Sequence, residues 1–353
     1  MRARASVHDF LADLAPRLAQ LLALAFVIIG MTPAVAEQSR REVLEQRILE
    51  VVRMFQDDPR YSRGRTPQQI KDSVEFVTGN VLFVLAHEAS HAMISEFGIP
   101  VVGREEDAAD SLASLGALRM ANAFADRVVV NAARGWFLSD QRDRKDAVPT
   151  AYYDQHGMDL QRAYHIVCLL VGGQPEKFAP LANEVRLPAA RQTTCRDDFN
   201  NASWSWETLL KPHLRKADDP KTEIKVSYAA PGEYAVHAEH GRKLMILEIV
   251  AEWLSQDFSW KRPISLEMQK CGEPGARWEF TSRKIVLCYE LVHEFIQLHR
   301  EYGQKPLVAW KSRQVTAKPV SNKRQDRNVG PSRAFQNNGN GPVTTPAHAG
   351  GVG

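Results

Sequence analysis

An excess of charge of either sign is the first thing this sequence lacks. Its 45 Lys and Arg face 42 Asp and Glu, a formal net charge of +3, so overall charge gives no reason to expect nucleic acid as a partner. Internal repeats are also lacking, which excludes solenoids and propellers. Cysteine is scarce, four in 353 residues. None of the four lies at the C-x-x-C spacing of a zinc or redox site, so they are read as structural. Long apolar runs are missing after the first 36 residues, which excludes a membrane span in the rest of the chain. Apolar residues are not scarce: at 44% hydrophobic and 25% charged, the bulk of the chain folds.

The first 36 residues read as a leader. Arg2, Arg4 and Arg17 precede the apolar run Leu21 to Ile29, and Ala34-Val35-Ala36 supplies a small-residue cleavage site before a polar stretch. An uncleaved anchor is the weaker reading, because Pro33 and the A-x-A site favour cleavage. The mature chain is therefore expected in the periplasm or secreted. In that compartment an even cysteine count reads as two disulfides. Cys168–Cys195 and Cys271–Cys288 are favoured over the other pairings because each closes a short local loop.

Helical periodicity is expected over residues 37–57, 80–97, 105–137 (one long helix or a pair), 160–170, 242–258 and 290–302. Gly98 stands as the residue that ends the second helix, with Pro100 beyond it. Strands are expected at 223–230, 264–269 and 284–287, where β-branched residues gather. The reading is therefore an α+β protein: a helical half, then a disulfide-stapled mixed half. From about Gln304 the apolar pattern is lost. Residues 303–353 read as a disordered tail with seven Lys or Arg and one acid between Lys311 and Arg333. The tail is either a contact for anionic surfaces or simply solvated.

The chemistry sits in the second helix. His87-Glu88-Ala89-Ser90-His91 is an H-E-x-x-H motif. Residues four apart on an α-helix differ by about 40° around the axis, so both imidazoles leave one face and can grip one cation. Zinc suits two neutral imidazoles best. Glu88 sits beside them, able to reach a metal-bound water without being a ligand. With 11 His in 353 residues, chance supplies about 0.02 such patterns per chain. Two histidines flanking a glutamate in an apolar helix would be costly without a metal.

A catalytic zinc needs a third protein ligand. Glu105, Glu106 and Asp107 compete, and each could instead simply cap the helix that starts there. Only Glu106 has an acid four residues on, Asp110, able to accept a hydrogen bond from a ligating His and orient it. The reading is Glu106 as ligand and Asp110 behind the ring. For the oxyanion, His156 is the choice among Tyr152, Tyr153, His156 and Arg162, which lie together. His293 and His299 in HEFIQLH look metal-like, but six residues place them about 240° apart, so they cannot share a site. His237 and His240 are read as solvent-facing residues of a polar loop.

H-E-x-x-H followed by Glu106, Ala109 and Asp110 resembles the gluzincin metallopeptidases, the thermolysin-like class of zincins. The run from Gly79 to Asp110 more closely resembles a bacterial metallopeptidase family known only as a domain of unknown function. So do HGMDLQRAYHIVCLLVGGQPEKF, Cys271-Gly272-Glu273-Pro274 and Ile285 to Leu291. The resemblance covers most of residues 75 to 300. Ala89-Ser90 departs from it, since a glycine is expected before the second His. It implies a zincin-like domain over residues 37–302 and one catalytic Zn²⁺ acting on a peptide or protein substrate. The rival expectation is a zinc-stabilised binding module without activity, against which an intact Glu88 argues.

Overall fold

The computed structural model describes residues 33–216, 218–305 and 307, with side chains from 43 onward. The expected leader, apart from Pro33 to Ala36, and nearly all of the expected tail lie outside the described residues. The first helix, α1 (Pro33–Asp57), reaches back over Ala34-Val35-Ala36, four residues before the expected start. A short α2 (Pro59–Ser62) follows, where a loop is expected.

The helix that organises the fold is α3 (Pro67–Phe97), longer than its apolar stretch suggests. Its start is fixed by Pro67 at the first turn and by a capping box, in which Thr66 accepts from the Gln69 N–H and Gln69 accepts from the Thr66 N–H. Its end is Gly98, at φ 65, the left-handed conformation that costs glycine least. Between them almost every residue from Val74 to Ile94 is buried, because helices and sheet pack on all its sides.

After α3 come α4 (Glu105–Met120) and α5 (Ala123–Lys145), separated at Ala121, with Asn122 capping the second. Helix α5 crosses α3 closely. A Cβ on Gly135 would lie 1.9 Å from the Asn80 Oδ1, while Asn80 spans the crossing by donating to Phe76 O and Asn131 O. Next are α6 (Asp159–Gly173), α7 (Pro175–Glu184) and α8 (Ala189–Leu210). The Cys168–Cys195 disulfide joins α6 to α8. It therefore lies in the helical half, not in the mixed half where stapling is expected. Helices α6 and α8 approach so nearly that a Cβ on Gly172 would meet the Cys195 carbonyl oxygen at 2.1 Å.

The second half holds the four-stranded sheet, in the order β1 (Lys225–Tyr228), β2 (Ser265–Gln269), β4 (Lys284–Cys288), β3 (Ala276–Glu279). The first three in that order are parallel; β3 is antiparallel to β4 and lies at the edge. The Cys271–Cys288 disulfide ties the segment before β3 to the end of β4. Both expected pairings are thus present. The helix expected over 242–258 is two, α9 (Ala235–Leu244) and α10 (Ile246–Asp257), broken at Met245 in the left-handed conformation. Helix α11 (Tyr289–Tyr302) follows β4 directly.

His237 and His240 are not in a solvated loop. Both lie on α9 and are 2% and 0% exposed. The reason is tertiary: α1 and α2 lie over α9, bringing the Tyr61 hydroxyl to His237 and the Phe55 ring against His240. Among the described residues no helix is long and apolar enough to cross a membrane.

Candidate metal centre

Helix α3 carries His87, Glu88 and His91 one turn apart, and the first turn of α4 lies across them. The Glu106 Oε2 comes to 3.0 Å from His87 Nε2 and 3.4 Å from His91 Nε2, and the two nitrogens are 3.1 Å apart. Neighbouring donors around a tetrahedral zinc with bonds of about 2.0–2.1 Å stand about 3.3–3.4 Å apart. The three atoms therefore form a triangle close to one face of that tetrahedron. Asp107 pairs instead with Arg104.

Each outer ring nitrogen is held by a carboxylate. His87 Nδ1 lies 2.9 Å from Asp110 Oδ1, and His91 Nδ1 lies 2.7 Å from Glu105 Oε1. An ionised carboxylate only accepts, so each Nδ1–H donates outward, and in the neutral form, the form that binds a metal, each ring turns the Nε2 lone pair inward. Two lone pairs and a carboxylate oxygen then converge on one point. Acceptors meeting at such distances need a cation between them. With protons in that role the site is strongly polarised. Burial alone would lower the His87 pKa, but Asp110 and Glu106 outweigh it and raise it to about 9. Burial would likewise raise the Glu106 pKa, but His156, His87 and His91 hold it well below the usual carboxylate range.

Asp110 is 2% exposed and is gripped twice more, by Arg162 Nε at 2.7 Å and Arg162 Nη2 at 2.8 Å. Burial would raise its pKa, but Arg162 and then His87 reverse this and lower it to about 2. The Arg162 guanidinium lies 3.8 Å over the Trp136 ring. Arg162 is therefore committed to Asp110, and Tyr152 and Tyr153 are 83% and 92% exposed. Of the four candidates for the oxyanion, only His156 stands at the centre. Its Nε2 is 2.9 Å from Glu106 Oε2, and Asp154 Oδ1 holds its Nδ1 at 3.2 Å.

Glu88 points to neither histidine partner. Its Oε2 accepts the Trp278 backbone N–H at 2.8 Å, from edge strand β3. Burial raises its pKa, and the neighbouring imidazoles and this N–H only partly offset it, so the carboxylate is a stronger base than an exposed glutamate. Glu88, His87 and His156 line one cleft of ≈ 560 Å³, whose apolar wall includes Phe83, Trp136, Leu291 and Phe295. A larger groove of ≈ 720 Å³, lined by Leu115, Phe199, Trp206 and Trp253, holds no histidine. Chemistry rather than size selects the smaller cleft.

These elements supply a pair of imidazoles, a carboxylate and a base beside a cleft. Residues 45–210 match the model of a family described as "Putative metallopeptidase". That stretch contains the histidines and carboxylates of the centre but not Trp278, Leu291 or Phe295, and stops before the sheet. The family implies a metal ion, and His87, Glu106 and His156 bring donor atoms within 4.8 Å of one another. Cys271, Cys288 and Glu290 also cluster. The two cysteines are bonded to each other, however, and Glu290 accepts the Cys271 and Gly272 N–H groups. No curated protein and no solved structure matches the chain.

Sequence reasoning missed three partners. Glu105 and Asp154 support His91 and His156 as Asp110 supports His87, and Trp278 reaches Glu88 from 190 residues away. Glu105 was findable, one residue before the expected ligand and at the same helix start. Nothing local marks Trp278.

Proposed function

We propose that the protein is an exported zinc-dependent metallopeptidase of the gluzincin type, cutting peptide bonds with Glu88 as general base. The observation that carries this reading is the convergence of His87 Nε2, His91 Nε2 and Glu106 Oε2 beside a buried carboxylate that is not a ligand. Those three residues would hold the zinc, which when bound supplies Lewis acidity toward a water and the scissile carbonyl. Asp110 and Glu105 fix the rings of His87 and His91 with Nε2 inward. Glu88 takes the proton of the attacking water and passes it to the leaving amine. The Trp278 N–H holds Glu88 on the cleft side during both transfers. His156 is placed to donate an N–H toward the carbonyl oxygen once its ring is free of Glu106. Edge strand β3 borders the same cleft through Ala276, so an extended peptide could pair with it. The two disulfides and the leader-like N-terminus support export.

One observation favours the alternative, a zinc-tied module without activity: His156 brings a fourth protein donor to the centre. Metal content and turnover separate the readings. Wild type and Glu88→Gln should each bind one zinc, and only wild type should cleave members of a peptide library. One zinc with no cleavage by wild type favours the module. Substantial cleavage by zinc-replete Glu88→Gln refutes the role given to Glu88.

A further inference from the structure

Three histidines, not two, share one pattern at the centre. Each has a carboxylate on Nδ1: Asp110 at 2.9 Å for His87, Glu105 at 2.7 Å for His91, Asp154 at 3.2 Å for His156. Each has Nε2 directed at the same atom, Glu106 Oε2, at 3.0, 3.4 and 2.9 Å. A carboxylate on one ring nitrogen with the other turned inward is the usual arrangement of a metal-bound histidine. Asp154 also accepts the His156 backbone N–H at 2.8 Å, so the ring is preset by its own turn.

The three differ in what carries them. His87 and His91 stand on α3, with side chains 6% and 13% exposed. His156 is 48% exposed and sits in the segment 146–158, which has no regular structure and carries Tyr152 and Tyr153 outward. Moving a helical ligand would disturb the core. Moving His156 needs only a turn to shift, and the same segment lines the cleft a substrate must enter.

We propose that His156 is a fourth, displaceable zinc ligand, and that the segment 146–158 is a latch that closes the metal centre until a substrate takes its place. The proposal rests on the zinc reading above. It resolves the competition between an open catalytic site and a closed structural one, because the same centre is four-coordinate by protein at rest and three-coordinate in use. Once displaced, His156 Nε2 can take up a proton from solvent while Asp154 keeps the Nδ1–H, and the resulting imidazolium donates its Nε2–H toward the carbonyl oxygen, so one residue serves in both states.

X-ray absorption at the zinc edge counts bound imidazoles without reference to activity. Wild-type protein should show three, and His156→Ala two, with zinc held more weakly by at least about 10-fold in chelator competition. Saturating acetohydroxamate should reduce wild type from three to two and leave the count in His156→Ala unchanged. Asp154→Ala, which keeps the imidazole but frees its ring, should fall between the two in zinc affinity. Equal counts and equal affinities in wild type and His156→Ala would overturn the assignment. Three imidazoles persisting under acetohydroxamate would show a fixed ligand and overturn the latch. Failure of the underlying reading looks different: no zinc is bound, or His87→Ala keeps it at full stoichiometry, and the latch falls with it.

Discussion

Asp110→Asn tests how the centre is supported, because it changes one atom type and leaves the volume alone. Asp110 accepts three hydrogen bonds, one from His87 and two from Arg162, with both partners buried. An asparagine with its oxygen in the Oδ1 place still accepts from His87 Nδ1 and Arg162 Nη2, but its N–H₂ then faces the Arg162 Nε–H and the negative charge both partners share is gone. Two losses follow, and they are measured separately. Stability should fall by about 3–5 kcal/mol, as when one partner of a buried ion pair is removed. The carboxyl's own depression, from 3.8 to about 2, corresponds to about 2 kcal/mol at 1.36 kcal/mol per unit. The larger figure also includes leaving the buried Arg162 charge without a counter-ion, and it is the one expected here. Zinc affinity should fall by about 10–100-fold, since His87 loses the anion that orients it. Urea unfolding of the zinc-free protein gives the first quantity and chelator competition the second. Arg162→Met serves as the control: it should reproduce much of the stability loss and little of the affinity loss. A folded Asp110→Asn protein with wild-type zinc affinity would refute the reasoning.

Glu105→Gln should also weaken zinc binding, though less than Asp110→Asn because Glu105 is half-exposed, while Asp107→Asn should bind as wild type; equal titrations for the two would show that the His91–Glu105 contact does not matter. Acid should destabilise the fold through His237, His240 and His299, whose pKa values burial lowers to about 3, 4 and 4. All are neutral above the unfolded value near 6.5, where stability is full. As pH falls below 6.5 the unfolded chain takes up protons that the folded one refuses, a loss of roughly 2 kcal/mol per histidine by pH 5. Urea unfolding at pH 7.5 and 5 should show the drop, reduced by about one histidine's share in His240→Gln; an undiminished drop in that variant would refute the assignment. Replacing Cys271 and Cys288 together by serine should cost about 2–5 kcal/mol and speed hydrogen exchange at the Trp278 amide, and unchanged exchange there would show that the disulfide does not steady β3.

What the sequence alone determined is what depends on near neighbours. The spacing of His87 and His91 puts both rings on one helix face because four residues make about one turn. Asp110 follows Glu106 by the same rule, and the local cysteine pairs followed from loop length. The end of α3 at Gly98 was legible because only a left-handed residue closes that turn well. Tertiary structure decided the rest. Strand β3, Ala-Arg-Trp-Glu, has too little apolar alternation to be read as a strand, and it exists because β4 offers an edge to pair with. Its N–H on Glu88 therefore came from outside any local pattern. His237 and His240 read as residues of a solvated polar loop, and are buried because α1 and α2 return across the helix on which they stand. His156 was legible as a candidate, but its approach to Glu106 from an irregular segment was not, because no periodicity specifies where such a segment comes to rest. Local spacing sets which side chains share a helix face. Which distant face meets them is set by the burial of apolar surface that the whole chain achieves together.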